Sequence, residues 1–312
     1  MTETLTTLRL ISFPGTGNLP LFAGTEKGFF ETQGVEIALE TTPSSMYQAQ
    51  KLVAGEFDLA CTAVDNVFAY QEGAGEIELD RDPDLFIAMG ATQIELCFVV
   101  APDIETFADL KGKTIAMDAL ATGFAFVLYQ MLENAGLSGD DVTLVSVGST
   151  PSRWEAVRDG KHAGTLLIEP FTSTARAAGF RVLESSLDTF THYQGQVYTA
   201  SRAWAAANRE SLTAFMRGYL DALDWVLAPA NRDEAEAMLA RNMPMMKPQA
   251  IAPAMNKLMA ARTGLTPGAT IDLKNLQAVL DLRARFGPNP PGGPDKYLDL
   301  TYYDSVMNDR SA

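Results

Sequence analysis

The chain has 312 residues, of which 47% are apolar and 20% charged, and its formal net charge is -15. That length fits two domains, and that composition is the composition of a globular protein, which excludes intrinsic disorder. The acidic balance excludes a nucleic-acid surface, which needs basic patches, and no apolar run approaches the roughly 20 residues that span a bilayer.

In chain order, an apolar strand begins at Leu8-Arg9-Leu10-Ile11 and ends at the turn Phe13-Pro14-Gly15-Thr16-Gly17-Asn18. Asn18 or Thr16 caps the helix that follows, with Pro20 in its first turn. Gly28 and Gly34 break that helix before a second strand at 35–39. Ser44 or Ser45 caps a second helix ending at Gly55, a third strand spans 59–64, and Asp65-Asn66 caps a third helix. An acidic loop at 73–84 then precedes two strand-like runs, 85–90 and 94–101.

From there the order repeats: a strand at 114–117, a helix from about Thr122, and a strand at 142–147. The turn Thr150-Pro151-Ser152, a helix ending near Gly160 and a strand at 165–168 complete the second copy. Residues 196–200 read as a strand crossing back, and helical periodicity dominates 204–286 with a break at Pro244 and Pro248. The run 287–294, rich in Pro and Gly, cannot be regular structure. Two β-α-β-α-β units predict an α/β protein of two lobes, each a mostly parallel sheet flanked by helices. Ligands of such sheets bind at the carboxyl ends of the strands, here in a cleft between lobes that close on a hinge. The expected division is residues 1–100 with 197–312 for the first lobe and 101–196 for the second.

Gly15-x-Gly17-x-x-Pro20 departs from the dinucleotide fingerprint, because proline stands where the last glycine makes a close helix-strand contact. Gly112-Lys113-Thr114 lacks the first glycine of a phosphate loop, with Phe107 in its place. Cys61 and Cys97 sit in apolar runs and read as packed free thiols. Only His162 and His192 could join them, so neither a metal site nor a cofactor is expected, and no catalytic residue is assigned.

The stronger candidates are the four strand-to-helix turns at corresponding points of the two repeats. Helix N-termini expose unpaired N–H groups and a partial positive charge, which receive carboxylate, sulfonate or phosphate. The expected ligand contacts are Thr16, Asn18, Ser44, Thr62, Asp65, Leu120, Thr122, Ser149 and Glu169, with Phe13 and Tyr198 as apolar walls. Each polar residue also reads as a plain helix cap. The case for a site is that all of these turns lie at the strand ends two facing lobes share. Asp65 and Glu169, facing the cleft together, favour a ligand carrying an amine or hydroxyl donor. Arg153 reads either as a surface ion pair or as a partner for a ligand carboxylate.

Four segments carry a family resemblance. They are Ala23-Gly24-Thr25-Glu26-Lys27-Gly28-Phe29-Phe30-Glu31-Thr32-Gln33-Gly34-Val35, Val53-Ala54-Gly55-Glu56-Phe57-Asp58-Leu59-Ala60, Phe107-Ala108-Asp109-Leu110-Lys111-Gly112-Lys113-Thr114-Ile115-Ala116, and Glu169-Pro170. They resemble substrate-binding proteins of ABC importers, in the group handling nitrate, alkanesulfonates, taurine and thiamine precursors. The resemblance covers roughly residues 8 to 200. It implies the two-lobed periplasmic-binding-protein type II fold and capture of a small organic ligand for an ABC permease complex, by a monomer that binds no nucleic acid.

The chain departs from that group at two points. Gly160-Lys161-His162-Ala163 lacks the acidic residue that usually follows the glycine, and Met1-Thr2-Glu3-Thr4-Leu5 shows neither an export signal nor an anchor cysteine. The periplasm is therefore expected if an export signal was removed from the sequence, and the cytoplasm as the chain stands. The alternative is a cytoplasmic enzyme of the same fold, a decarboxylase- or desulfinase-like lyase or hydrolase acting on a small acidic compound. Asp65 or Glu169 would be its general acid or base. The cysteine that desulfinase-like enzymes use in the first strand-to-helix turn is missing from Thr16-Gly17-Asn18.

Overall fold

Runs of apolar and β-branched residues between turns form ten strands in the computed structural model, which describes residues 4–311. They are β1 (Thr6–Ser12), β2 (Val35–Thr41), β3 (Leu59–Ala63), β4 (Leu85–Gly90), β5 (Cys97–Val100), β6 (Thr114–Met117), β7 (Thr143–Ser146), β8 (Gly164–Leu167), β9 (Arg181–Ser185) and β10 (Gln196–Ser201). One sheet has the order β2-β1-β3-β10-β4 and the other β7-β6-β8-β5-β9. In each, the first three strands run parallel and the fourth antiparallel. The two sheets therefore share one topology, with β10 and β5 in equivalent places. This is the duplicated α/β, two-lobed architecture expected from the repeat.

Strands covered by helices on both faces carry little but apolar side chains. All of β4 and β8 is buried, and β3 is buried up to its last residue. Helix starts follow local chemistry: the Ser44 side chain accepts from the Tyr47 N–H, and Ser201 does the same for Trp204. Asp65 and Asn66 instead lie inside the first turn of their helix, Val64–Gln71, whose cap position is Ala63.

Two features of the strands also differ from the sequence reading. Residues 97–100 pair with β8 and β9, so the chain enters the second lobe within 91–96, ahead of the expected boundary at 100. The half-exposed edge strand β9 is the other, too short and mixed to show a period.

The C-terminal third packs on both lobes. Helix Arg209–Leu227 buries Leu212, Phe215, Met216, Tyr219, Leu223 and Val226 along one face against helix Leu19–Glu26 of the first lobe. The break expected at Pro244 and Pro248 separates helices Arg232–Asn242 and Pro248–Met259. Helix Leu273–Phe286 lies against Val64–Gln71 of the first lobe and Gly123–Asn134 of the second. Residues 287–293 carry no helix or strand, and a last helix, Thr301–Ser311, follows.

Candidate ligand-binding cleft

The carboxyl ends of the parallel strands of the two sheets face each other. Between them lie two adjoining hollows with about 550 Å³ and 510 Å³ of space unfilled by atoms. Phe13, Ile94, Ile168 and Gln196 border both. The first lobe contributes residues 13–18, Ala63 and Asn66, and the chain crossings contribute residues 92–95 and Gln196. The second lobe contributes Asp118, Thr122, Gly123, Phe124, Thr150, Arg153 and Glu169, and helix Pro248–Met259 adds Lys257.

The charges are unevenly placed. Arg153 is only 3% exposed. Its guanidinium donates from Nη1 to the Gly148 carbonyl at 2.6 Å, from Nε to Thr165 Oγ1 at 3.2 Å, and from Nη2 to Thr150 Oγ1 and the Leu166 carbonyl at 3.2 Å. Burial lowers its pKa and the charge of Asp118 partly restores it. Arg153 takes part in none of the ion pairs among the described residues. A buried cation normally has a counter-charge in contact. Beside it, Thr122 starts helix Gly123–Asn134 without a side-chain cap. The first N–H groups of that helix have no intrahelical acceptor.

At the other end of the cleft the charges are matched. Lys257 donates to Glu95, which also accepts from Ser185 Oγ at 2.8 Å. Burial pushes the Glu95 carboxyl up, but the hydrogen bonds from Lys257 and Ser185 outweigh it and hold the pKa below the usual carboxylate range. The Glu169 carboxylate accepts from Ser173 Oγ at 3.0 Å and from its N–H at 3.3 Å. No group of three or more His, Cys, Asp or Glu among the described residues is arranged to hold a metal ion.

The NMT1-like family matches residues 2–240. The chain belongs to that family. Among solved structures, the periplasmic nitrate-binding protein of Synechocystis PCC 6803 superposes with a TM-score of 0.84 at 15% identity, over 98% of this chain and 89% of that one. The alkanesulfonate-binding protein of Xanthomonas axonopodis pv. citri, bound to MOPS, gives 0.73 at 20% identity, over 93% and 97%. The ligand-binding component of an ABC-type import system from Staphylococcus aureus, with zinc bound, gives 0.79 at 11%, over 96% and 99%. At these identities the likeness is one of fold, and the nitrate and sulfonate binders belong to the group the sequence resembles. No curated protein matches the chain.

Within this NMT1-like frame, the expected contacts divide. Phe13, Thr16, Asn18, Thr122 and Glu169 border the cleft. Asn18 also holds the turn in shape, since its Nδ2 donates to the Phe13 carbonyl at 2.9 Å and its Oδ1 accepts from Ser12 Oγ at 2.7 Å. Six expected contacts are engaged elsewhere. Ser44 caps its helix, and Thr62 accepts from Asn66 Nδ2 at 2.9 Å. Asp65 is paired with Arg283 through two hydrogen bonds of 2.7 and 2.6 Å. The Leu120 N–H is taken by Glu76, and the Ser149 N–H by the Pro43 carbonyl. Tyr198 points away from the cleft, its ring 5.2 Å from Phe215 and 4.8 Å from Tyr219. Residues 92–95, Gln196, Asp118 and Lys257 were not anticipated, because they lie on the crossings, on a strand end or in the C-terminal helices rather than in the four turns.

Proposed function

We propose that the protein is a solute-binding protein that captures a small organic molecule carrying an anionic group between its lobes and delivers it to the permease complex of an ABC importer. One observation carries the ligand class: Arg153, buried at the cleft without a contacting carboxylate, beside the uncapped start of helix Gly123–Asn134. A carboxylate, sulfonate or phosphate there gains a charge-assisted bond and gives a buried cation the contacting counter-charge it lacks. The aromatic rings of Phe13 and Phe124 would cover the organic part. A ligand touching both lobes favours the closed form by its differential affinity, which is the signal a permease needs. The lobes expected at 1–100 with 197–312 and at 101–196 would turn on the crossings, the first of them drawn in to 91–96 by the pairing of β5.

The periplasm is the compartment this role requires, and the chain would act as a monomer. No helix among the described residues is long and apolar enough to cross a membrane. The enzymic alternative is weakened at its own residues. Asp65 is tied to Arg283 and Glu169 to Ser173, while burial pushes the Cys61 and Cys97 thiols up to about 12.

The test is a thermal-shift screen of small carboxylates, sulfonates and phosphates against amines of matched size. Anions are expected to raise the melting temperature, and Arg153→Gln to weaken their binding about 10- to 100-fold. Stabilisation by the amines alone, or recovery of a chemically altered ligand by mass spectrometry, refutes the reading.

A further inference from the structure

The two lobes are fastened to each other by their own carboxylates. Glu76, in the acidic loop of the first lobe, accepts from the Leu120 N–H at 2.9 Å and the Ala121 N–H at 2.8 Å, in the turn after β6 of the second lobe. In the opposite direction Asp118, at the end of β6, accepts from the Ser45 N–H at 3.3 and 3.2 Å. Ser45 opens helix Ser45–Val53 of the first lobe. Each lobe thus places a negative charge against backbone donors of the other, where a helix N-terminus or a nest of N–H groups attracts it.

A third contact joins the equivalent turns of the two repeats: the Ser149 N–H, after β7, donates to the Pro43 carbonyl, after β2, at 2.9 Å. Glycines make this approach possible. A Cβ on Gly148, whose φ is 109°, would stand 3.1 Å from the Pro43 carbonyl oxygen, and one on Gly123 would stand 2.7 Å from Asp65 Cβ. The Tyr70 hydroxyl, buried and without a hydrogen-bond partner, lies in the field of Asp118 and Glu76. Burial first and then those two charges raise its pKa.

We infer that Glu76 and Asp118 form a reciprocal latch that sets the balance between open and closed lobes, and that Glu76 so sets affinity from outside the hollow that takes the ligand. Glu76 in particular borders neither hollow. It is a positioning residue: it acts on the ligand by holding Leu120 and Ala121, and with them the start of helix Gly123–Asn134, against the first lobe. It also takes up the donors that an incoming anion would otherwise find at that turn, which leaves Arg153 and the following N–H groups to the ligand.

The experiment is amide hydrogen exchange on the full chain without added ligand, comparing the parent with Glu76→Ala. The reporter is the Ser149 amide, which bonds across the cleft and is no partner of Glu76. Loss of the latch bond is expected to speed its exchange about tenfold, together with that of Leu120 and Ala121, with the melting temperature lowered by no more than a few degrees. Glu76→Gln keeps the shape and loses the charge, so a smaller acceleration in the same direction is expected. It also serves if the alanine variant fails to fold. A second readout is the distance between labels on Glu36→Cys and Thr143→Cys, at the exposed outer strands β2 and β7, which should lengthen in Glu76→Ala. Acceleration confined to Leu120 and Ala121, with Ser149 and the label distance unchanged, means that Glu76 is a local cap and overturns the inference. These readouts need no ligand, so their failure leaves anion capture standing, and failure of the ligand screen leaves the latch standing.

Discussion

Arg283 and Asp65 form an ion pair with side chains 0% and 2% exposed. The geometry is a two-bond fork, and Arg283 Nη2 also donates to the Ala121 carbonyl at 3.0 Å. The guanidinium sits 5.2 Å from the centre of the Phe126 ring. The pair therefore links helix Leu273–Phe286 to helix Val64–Gln71 of the first lobe and to a turn of the second. For charges about 4 Å apart at an effective dielectric constant of about 20, the attraction is about 4 kcal/mol. Arg283→Met keeps the length of the side chain and strands the Asp65 carboxylate in the interior. It should lower the unfolding free energy by about 3–5 kcal/mol. Replacing both, Asp65→Leu with Arg283→Met, removes the stranded charge and should return stability to within about 1–2 kcal/mol of the parent. Urea unfolding followed by fluorescence of the three tryptophans measures both. A single variant that loses less than about 1 kcal/mol refutes the assignment of Asp65 to the core, as does a double variant no better than the single.

Tyr198→Phe removes a hydroxyl that is buried without a hydrogen-bond partner; stability should change by no more than about 1 kcal/mol and ligand affinity not at all, as calorimetry would establish. The depressed Glu95 pKa contributes stability that is fully present above the unfolded carboxyl value, about 4.3, and is lost as pH falls through the lower folded value. Glu95→Gln should therefore narrow the gap between urea midpoints at neutral pH and at pH about 3.5. A gap equal to the parent's removes Glu95 from the acid response. Cys61 and Cys97, with thiols pushed up to about 12, should stay silent to a disulfide reagent in the native protein and both react in denaturant. A thiol titrating at once in the folded chain contradicts that burial.

What the sequence made legible was what neighbours along the chain decide. The repeated β-α-β-α-β order, the Ser44 cap and the break at Pro244 and Pro248 depend on periods, caps and breakers within a few residues of each other. The cleft was legible as a place, since strand-to-helix turns of a parallel sheet share one edge, and Phe13, Thr16, Asn18, Thr122 and Glu169 border it. The rest depended on partners distant in sequence. Asp65 meets Arg283 from 218 residues away, which no local pattern announces. Tyr198 alternates along β10 to the face covered by helix Arg209–Leu227, opposite to the cleft. Arg153 reads as a surface charge in the sequence because its acceptors are two carbonyls and two threonine hydroxyls, none of them a carboxylate that would announce a buried pair. The antiparallel place of β5 in the second sheet is set by which strand edges remain free, a property of the assembled sheet.

The two sheets draw on the chain differently. All five strands of the second come from one uninterrupted stretch, 97–185, whereas the first has β10 inserted between β3 and β4 and so waits for the chain to return. The strand pairing of the second sheet is consequently complete within its own stretch, although its helix Gly123–Asn134 is covered only once helix Leu273–Phe286 has been made. In the first sheet β2, β1 and β3 can pair early, but β4 lacks its neighbour until residue 201 has been made. A chain ended before β10 would hold every strand of the second sheet, while β4 stood apart from β3 in the first.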